Sequence, residues 1–218
     1  MTSAAHRRQE VLDGIAAAAR LAKRGADEIH LIAVSKTRSA EEIEALIEAG
    51  QRDFGESRVQ EALDKWPPLL ARHSGLRLHC IGRLQSNKAA EAARLFDAIH
   101  SVDRKSLFDA LVKESENARR FPAVYVQVNI GDEPQKGGCP ISEVGDLVKM
   151  VRALPLPLAG LMCIPPADLE PSPFFALLAK IAREHRVEGL SMGMSADYRA
   201  AVMLGATAVR VGTALFES

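Results

Sequence analysis

A closed (β/α)8 barrel preceded by one extra helix is the fold this sequence predicts, and three observations predict it. Eight short apolar runs recur along the chain, and segments of helical periodicity lie between them. The length, 218 residues, falls near the short end of the range such barrels occupy, about 200 to 400 residues. Parallel strands need a crossover between them, and burial on both faces makes their runs continuously apolar. A doubly wound open sheet is the alternative reading of the same alternation.

The elements follow in order. A helix built on Val11, Ile15, Ala18 and Ala22 precedes the first strand and closes the barrel bottom or packs on its side. The strand candidates are "HLIAVSKT", "RDFGES", "LRLHCIG", "AIHSVD", "AVYVQVNI", "LAGLMCIP", "EGLSMGM" and "AVRVGTALF". One-faced helices are predicted on Ala89/Ala92/Ala93/Phe96, Val144/Leu147/Val148/Val151, Phe174/Leu177/Leu178/Ile181 and Tyr198/Ala201/Val202/Gly205. No Gly/Ser-rich linker or low-complexity run divides the chain, and "LPLPLAG" reads as a helix-to-strand turn. Residues 1–218 are therefore expected to form a single domain.

Composition excludes several roles. Hydrophobic residues make up 47% of the chain, enough to fill a core, and 28 Lys+Arg balance 28 Asp+Glu. Neutrality leaves no broad basic surface for nucleic acid or membrane. Cys80, Cys139 and Cys163 are an odd number with no CxxC pair or zinc spacing, which suits a reducing compartment. The N-terminus interrupts its apolar residues with charges, so it reads as neither a signal peptide nor a membrane span. A cytoplasmic protein is expected.

In such a barrel chemistry gathers at the C-terminal ends of the strands. Lys36 stands there, at the end of the first. With its stem among apolar neighbours its ammonium would be partly desolvated, which favours the neutral amine as a nucleophile toward an aldehyde. The plainer reading is a lysine that reaches solvent. On the last strand, Gly212 permits close backbone approach, and Thr213 sets a hydroxyl beside its own N–H, a pairing suited to phosphate. Ser195, after the seventh strand, can cap the next helix and aim its amides at an anion. Each motif alone is as readily a turn or a cap. Together, and with an amine, they suggest an aldehyde bearing a phosphate, a description that pyridoxal phosphate (PLP) fits.

The motifs "AVSKT", "FGES", "IGRLQSNK", "GLMCIP", "SMGMSADY" and "VRVGTALF", in order over nearly all of the chain, closely resemble the PLP homeostasis (PLP-binding protein) family. That family resembles the N-terminal barrel of alanine racemase. The resemblance implies that Lys36 forms the internal aldimine, that Ser195, Gly212 and Thr213 hold the phosphate, and that Arg210 faces the pyridine nitrogen. A guanidinium only donates, so there it favours an unprotonated ring, a poorer electron sink; the alternative for Arg210 is a barrel-interior residue paired with a carboxylate. One position departs from the family pattern: "FGES" places Ser57 where the family usually has asparagine, which puts a direct cofactor contact there in doubt.

Weaker candidates surround this set. His79 is either a ligand neighbour or a core histidine; Gln85, Asn87 and Lys88 open the following helix near the mouth, and Lys88 extends an electropositive rim or lies on a solvated face. Lys136, in the glycine-rich "GDEPQKGGCP" loop, is read as exposed, with a second aldehyde site as the alternative. Asn129 and Met162 are placed to touch the ring or to fill the core. His79, His100 and His185 fall on separate elements at no ligand spacing, so no metal site is expected. The leading reading is a binding protein that buffers PLP and supplies it to apo-enzymes, expected to be a monomer without catalytic turnover. A small PLP-dependent amino-acid racemase is the second reading and a phosphate-sugar barrel enzyme the third. The racemase would need a catalytic tyrosine, and only Tyr125 and Tyr198 exist, one inside a strand and one opening a helix.

Overall fold

In the computed structural model, which describes residues 3–217, eight parallel strands close into a barrel in sequence order. They are β1 (His30–Val34), β2 (Asp53–Glu56), β3 (Arg77–Cys80), β4 (Ala98–Val102), β5 (Ala123–Gln127), β6 (Leu158–Met162), β7 (Leu190–Ser191) and β8 (Ala208–Val211). Closure removes every free edge. It sets β8 beside β1, with Ile32 level with Arg210 and Ala33 with Val211.

Helices cover the outside: α1 (Ala4–Leu21), α2 (Ala40–Glu48), α3 (Val59–Arg72), α4 (Ala89–Leu95), α5 (Lys105–Ala118), α6 (Val144–Arg152), α7 (Ser172–Glu184), α8 (Tyr198–Met203) and α9 (Thr213–Phe216). Alternation along each strand sends one set of side chains outward and the other into the lumen. The outward set, such as Leu31, Phe54, Leu78, Val124, Leu161 and Val209, joins the helices in one buried apolar cluster. The inward set holds most of the polar chemistry: Asp53, His79, His100, Ser191 and Arg210.

Four expectations are corrected. β1 stops at Val34, so Ser35 and Lys36 belong to a turn. The eighth run divides at Gly212 into β8 and the short α9, and the seventh shrinks to two residues. Gly205 lies past the end of α8 with φ of 105°, a left-handed stop beyond the helix that glycine tolerates. The extra helix α1 packs on the side of the barrel, against α8, α9 and α2.

Candidate functional site

Lys36 sits two residues beyond β1, exposed, and its Nζ makes no hydrogen bond or ion pair among the described residues. The expected desolvation among apolar neighbours is absent because the turn lifts the side chain out of the strand. That turn is held from below and from the side. Thr37 has φ of 62°, a left-handed conformation that strains a β-branched residue, and its N–H donates to Glu61 Oε1 at 2.6 Å. Lys65, on the same helix face as Glu61, donates to the carbonyls of Ser35 (2.8 Å) and Arg38 (3.4 Å). The fully buried Glu56 accepts on one oxygen from Ser35 Oγ (2.7 Å), Trp66 Nε1 (2.9 Å) and Lys65 Nζ (2.9 Å). A reciprocal capping box between Ser39 and Glu42 then starts α2. Lys36 is thus a free amine on an anchored turn.

Next to it stands the end of β8. The Gly212 N–H donates to Ser195 Oγ at 3.2 Å, so the two strand-end residues predicted to share an anion do meet. The meeting differs from the expected one, because α8 starts at Tyr198 after Asp197 and Ser195 does not cap it. Accepting from Gly212 leaves the Ser195 O–H free to donate elsewhere. Thr213 follows, exposed, as the first residue of α9. A Cβ on Gly212 would come within 3.4 Å of Val34 Cβ, which measures how closely the β8 end approaches the strand that leads to Lys36.

Arg210 is buried in the lumen below this group, 4% exposed, and no carboxylate pairs with it among the described residues. The carboxylate-paired alternative is therefore corrected. Its Nη1 donates to Ser191 Oγ at 2.7 Å and its Nη2 to the Cys163 carbonyl at 3.0 Å, two of the five donors a guanidinium has. Burial lowers its pKa, partly opposed by the field of Cys163, Asp197 and Tyr125.

His79 is not at the mouth with these residues. Its Nδ1 meets His100 Nε2 at 3.0 Å and its Nε2 meets Asp53 Oδ1 at 3.0 Å, so both ring nitrogens are engaged. It borders a cavity of about 190 Å³ lined by residues that begin strands, among them His30, Asp53, Arg77, Ala98 and Ala208, which is the N-terminal end of the lumen. His79 and His100, unrelated by sequence spacing, are direct neighbours, although no cluster of metal-ligand type occurs among the described residues.

The remaining candidates divide by what already occupies them. Ser57 is half-buried after β2, with no side-chain hydrogen bond among the described residues and its carbonyl pressed against Gly82. Met162 is fully buried at the end of β6. Asn129 spends both ends of its amide on its own loop, donating to the Glu133 carbonyl (2.9 Å) and accepting from the Glu133 N–H (3.1 Å). Lys136, expected to be exposed, is half-buried, donating to the Pro165 carbonyl at 3.1 Å and pairing with Glu133 at 2.6 Å. Lys88 pairs with Glu91 at 2.9 Å, while Gln85 and Asn87 are exposed. Neither tyrosine reaches Lys36: Tyr125 stacks on His100 with ring centroids 4.1 Å apart, and the Tyr198 hydroxyl packs against Gly14 of α1, where a Cβ would meet it at 2.2 Å. Sequence reasoning misses Ser191, His100, Asp53, Glu56 and Lys65. Period-two alternation on β2, β4 and β7 is the signal that puts Asp53, His100 and Ser191 on one lumen-facing surface.

The mouth thus offers an unpaired amine, a strand-end serine hydroxyl braced by the Gly212 N–H with its own proton free to donate, and a buried cation with donors to spare, on the adjacent strands β7, β8 and β1. The chain matches the family described as alanine racemase, N-terminal domain, over residues 11–218. It is similar to the pyridoxal phosphate homeostasis protein of Escherichia coli (strain K12), 40% identical with 99% of this chain and 97% of that protein covered. Among solved structures it is similar to PipY of Synechococcus elongatus with PLP bound, at 38% identity and a TM-score of 0.80 over 93% of this chain and 99% of that one. An alanine racemase from a D-cycloserine producing Streptomyces lavendulae shares the fold alone, at 20% identity and a TM-score of 0.67, covering 94% of this chain and 56% of that chain.

Proposed function

Because this chain belongs to the alanine racemase N-terminal-domain family and, within it, to the pyridoxal phosphate homeostasis proteins, we propose that it binds PLP at the C-terminal mouth and serves as a carrier of that cofactor. The observation that carries this reading is the grouping of Lys36, the Gly212–Ser195 pair and the carboxylate-free Arg210 on neighbouring strands. When bound, PLP supplies an aldehyde that condenses with a primary amine, a phosphate, and a pyridine nitrogen that accepts a hydrogen bond. The donor set fits all three. Lys36 Nζ is the amine. The Ser195 hydroxyl, the Thr213 hydroxyl and the amides that begin α9 are the phosphate donors. Arg210, buried without an anion of its own, is the donor to the ring nitrogen.

Arg210 also favours carriage over turnover. A permanent cation that only donates holds the ring nitrogen unprotonated and weakens the ring as an electron sink. Racemisation further needs a second acid or base across the substrate carbon from Lys36, and both tyrosines are engaged elsewhere. Ser57 is shorter than the asparagine of the family pattern and has no side-chain partner among the described residues, so water can take the place of a direct contact there. Lys36 is open to solvent, which favours exchange of cofactor with apo-enzymes as recipients. We read residues 1–218 as one domain acting as a monomer, with no enzymatic turnover. A cytoplasmic site is the reading favoured by three thiols without a disulfide, each pushed up by burial to about 12. Among the described residues no helix is long and apolar enough to cross a membrane.

The test is borohydride reduction of the PLP-loaded chain followed by peptide mass spectrometry. The adduct is expected on Lys36, and Lys36→Ala should lose it while keeping its circular dichroism. An adduct chiefly on Lys136 or Lys88 would overturn the assignment. In deuterated buffer the loaded chain should exchange the α-proton of L- or D-alanine no faster than free PLP; Lys36-dependent exchange would establish the racemase reading instead.

A further inference from the structure

Arg210 is one end of a hydrogen-bonded chain that runs through the lumen to the opposite mouth. Its Nη1 lies 2.7 Å from Ser191 Oγ, and Ser191 Oγ lies 2.8 Å from His100 Nδ1. His100 Nε2 lies 3.0 Å from His79 Nδ1, and His79 Nε2 lies 3.0 Å from Asp53 Oδ1. Arg77 closes the far end, gripping both Asp53 oxygens at 2.7 Å. The link from His100 to Ser191 joins β4 to β7, strands that are not neighbours, so the chain crosses the lumen rather than following the wall.

The two ends decide the direction of every proton between them. A guanidinium can only donate and an ionised carboxylate can only accept. With Asp53 accepting from His79 Nε2, a neutral His79 offers a bare Nδ1 to His100 Nε2–H, and the bare His100 Nδ1 takes the proton of Ser191, whose oxygen also accepts from Arg210. With both histidines neutral, each group in the chain has one role. The opposite tautomer of His100 would point two donors, Arg210 and His100, at Ser191 and leave the Ser191 proton without this acceptor. Tyr125 stacked on His100 at a 20° interplanar angle limits rotation of that ring.

We propose that Ser191, His100, His79 and Asp53 are positioning residues for Arg210, a directed hydrogen-bond chain that holds the guanidinium so that its remaining donors face the C-terminal mouth. The direction of the chain rests on its own geometry; its consequence for ligand binding rests on the PLP reading. The Cys163 carbonyl, accepting from Nη2 at 3.0 Å, fixes the second edge of the same guanidinium. Removing the far acceptor would therefore be felt at the ring nitrogen, across the full width of the lumen.

Two measurements test this. With histidine-selective 15N labelling of the full chain without cofactor, near neutral pH, His100 and His79 should both appear neutral with the proton on Nε2. A proton on His100 Nδ1, or a cationic ring at either position, would falsify the chain. In the second, PLP and its 1-deaza analogue, which lacks the ring nitrogen, are titrated into the wild type, Asp53→Ala and Asp53→Asn. Asp53→Ala should weaken PLP about tenfold, the scale of one hydrogen bond to a charged group. The same substitution should leave the deaza analogue unchanged, and Asp53→Asn, which keeps an accepting oxygen, should restore most of the PLP affinity. Equal weakening of both ligands, or no rescue by Asn, would reduce Asp53 to a packing role and overturn the positioning claim. Failure of PLP to bind the wild type would remove the cofactor reading, and the histidine spectrum would then decide the chain by itself.

Discussion

The two ends of the barrel lumen contrast in how fully their polar groups are used. At the N-terminal end every ring nitrogen of His79 and His100 and both oxygens of Asp53 have protein partners. At the C-terminal mouth Lys36 and Ser57 have none among the described residues, and Arg210 uses only part of its donor capacity. Both regions are polar and built on the strands of one barrel. Buried polar groups are ordinarily satisfied, so the spare donors of the buried Arg210, beside a solvent-open Lys36, mark where we propose that a ligand completes the structure. Saturation marks where the protein completes itself.

The sharpest way to break this contrast is to remove capacity at the mouth. Ser195→Ala combined with Thr213→Val deletes two hydroxyl donors, each worth about 1.5–3 kcal/mol toward a charged group. PLP affinity should fall by roughly two to four powers of ten, while pyridoxal, which lacks the phosphate, should change by less than about tenfold. Isothermal titration of both ligands decides it. Parallel losses would mean that the strand-end donors serve the loop and not an anion.

A second substitution separates the mouth from the shell beneath it. Lys65 neutralises the buried Glu56 and grips the Ser35 and Arg38 carbonyls on either side of Lys36. Lys65→Met leaves a buried carboxylate without its cation, a loss of about 3 kcal/mol in urea unfolding, at the low end for buried pairs because Ser35 and Trp66 still donate. Formation of the reducible Lys36 adduct should slow in the same variant, since its turn loses two anchors. A stable variant with unchanged adduct kinetics would show that α3 does not hold the turn.

Much of this is legible in the sequence, for identifiable reasons. Alternation of apolar runs with helical periods shows a helix-covered parallel sheet, and eight repeats favour the barrel over the doubly wound alternative. The rule that chemistry collects at strand ends isolates Lys36, Ser195, Gly212 and Thr213, and resemblance adds Arg210. What escapes involves contacts that sequence distance conceals. His100 and Ser191 are 91 residues apart and meet only because a closed barrel brings β4 opposite β7. Lys36 reads as the end of a strand because the apolar run gives no sign that pairing stops at Val34; the left-handed Thr37 that turns the chain is a residue type that ordinarily avoids that conformation. Lys136 reads as solvated within a glycine-rich loop, yet that loop folds back through Asn129 and sets the lysine against Glu133 and the Pro165 carbonyl.

The smallest expected effect is a slope in pH, and it belongs to the saturated end. Burial holds the His100 pKa well below its usual value, reinforced by the positive field of Arg210, and any charge on His79 acts in the same direction. For a base with a depressed folded pKa, the unfolded chain takes up a proton that the folded chain refuses. Stability is therefore full above the unfolded histidine pKa of about 6.5 and declines as pH falls below it, by at most about 1.4 kcal/mol per pH unit for one proton. Burial raises Asp53, but the hydrogen bonds from His79 and Arg77 and the charge of Arg77 outweigh it and hold the carboxyl below its ordinary value. Its contribution is present above about pH 3.9 and is lost as pH falls through the depressed folded value. Urea unfolding of the cofactor-free chain from pH 8 to 5 should thus show a plateau and then a decline. His100→Phe, though less stable throughout from the loss of two hydrogen bonds, should have a shallower decline between pH 6.5 and 5, while Lys36→Ala should keep the wild-type shape. An unchanged slope in His100→Phe would place the proton uptake elsewhere, and a changed slope in Lys36→Ala would mean that the two ends of the lumen are not separable.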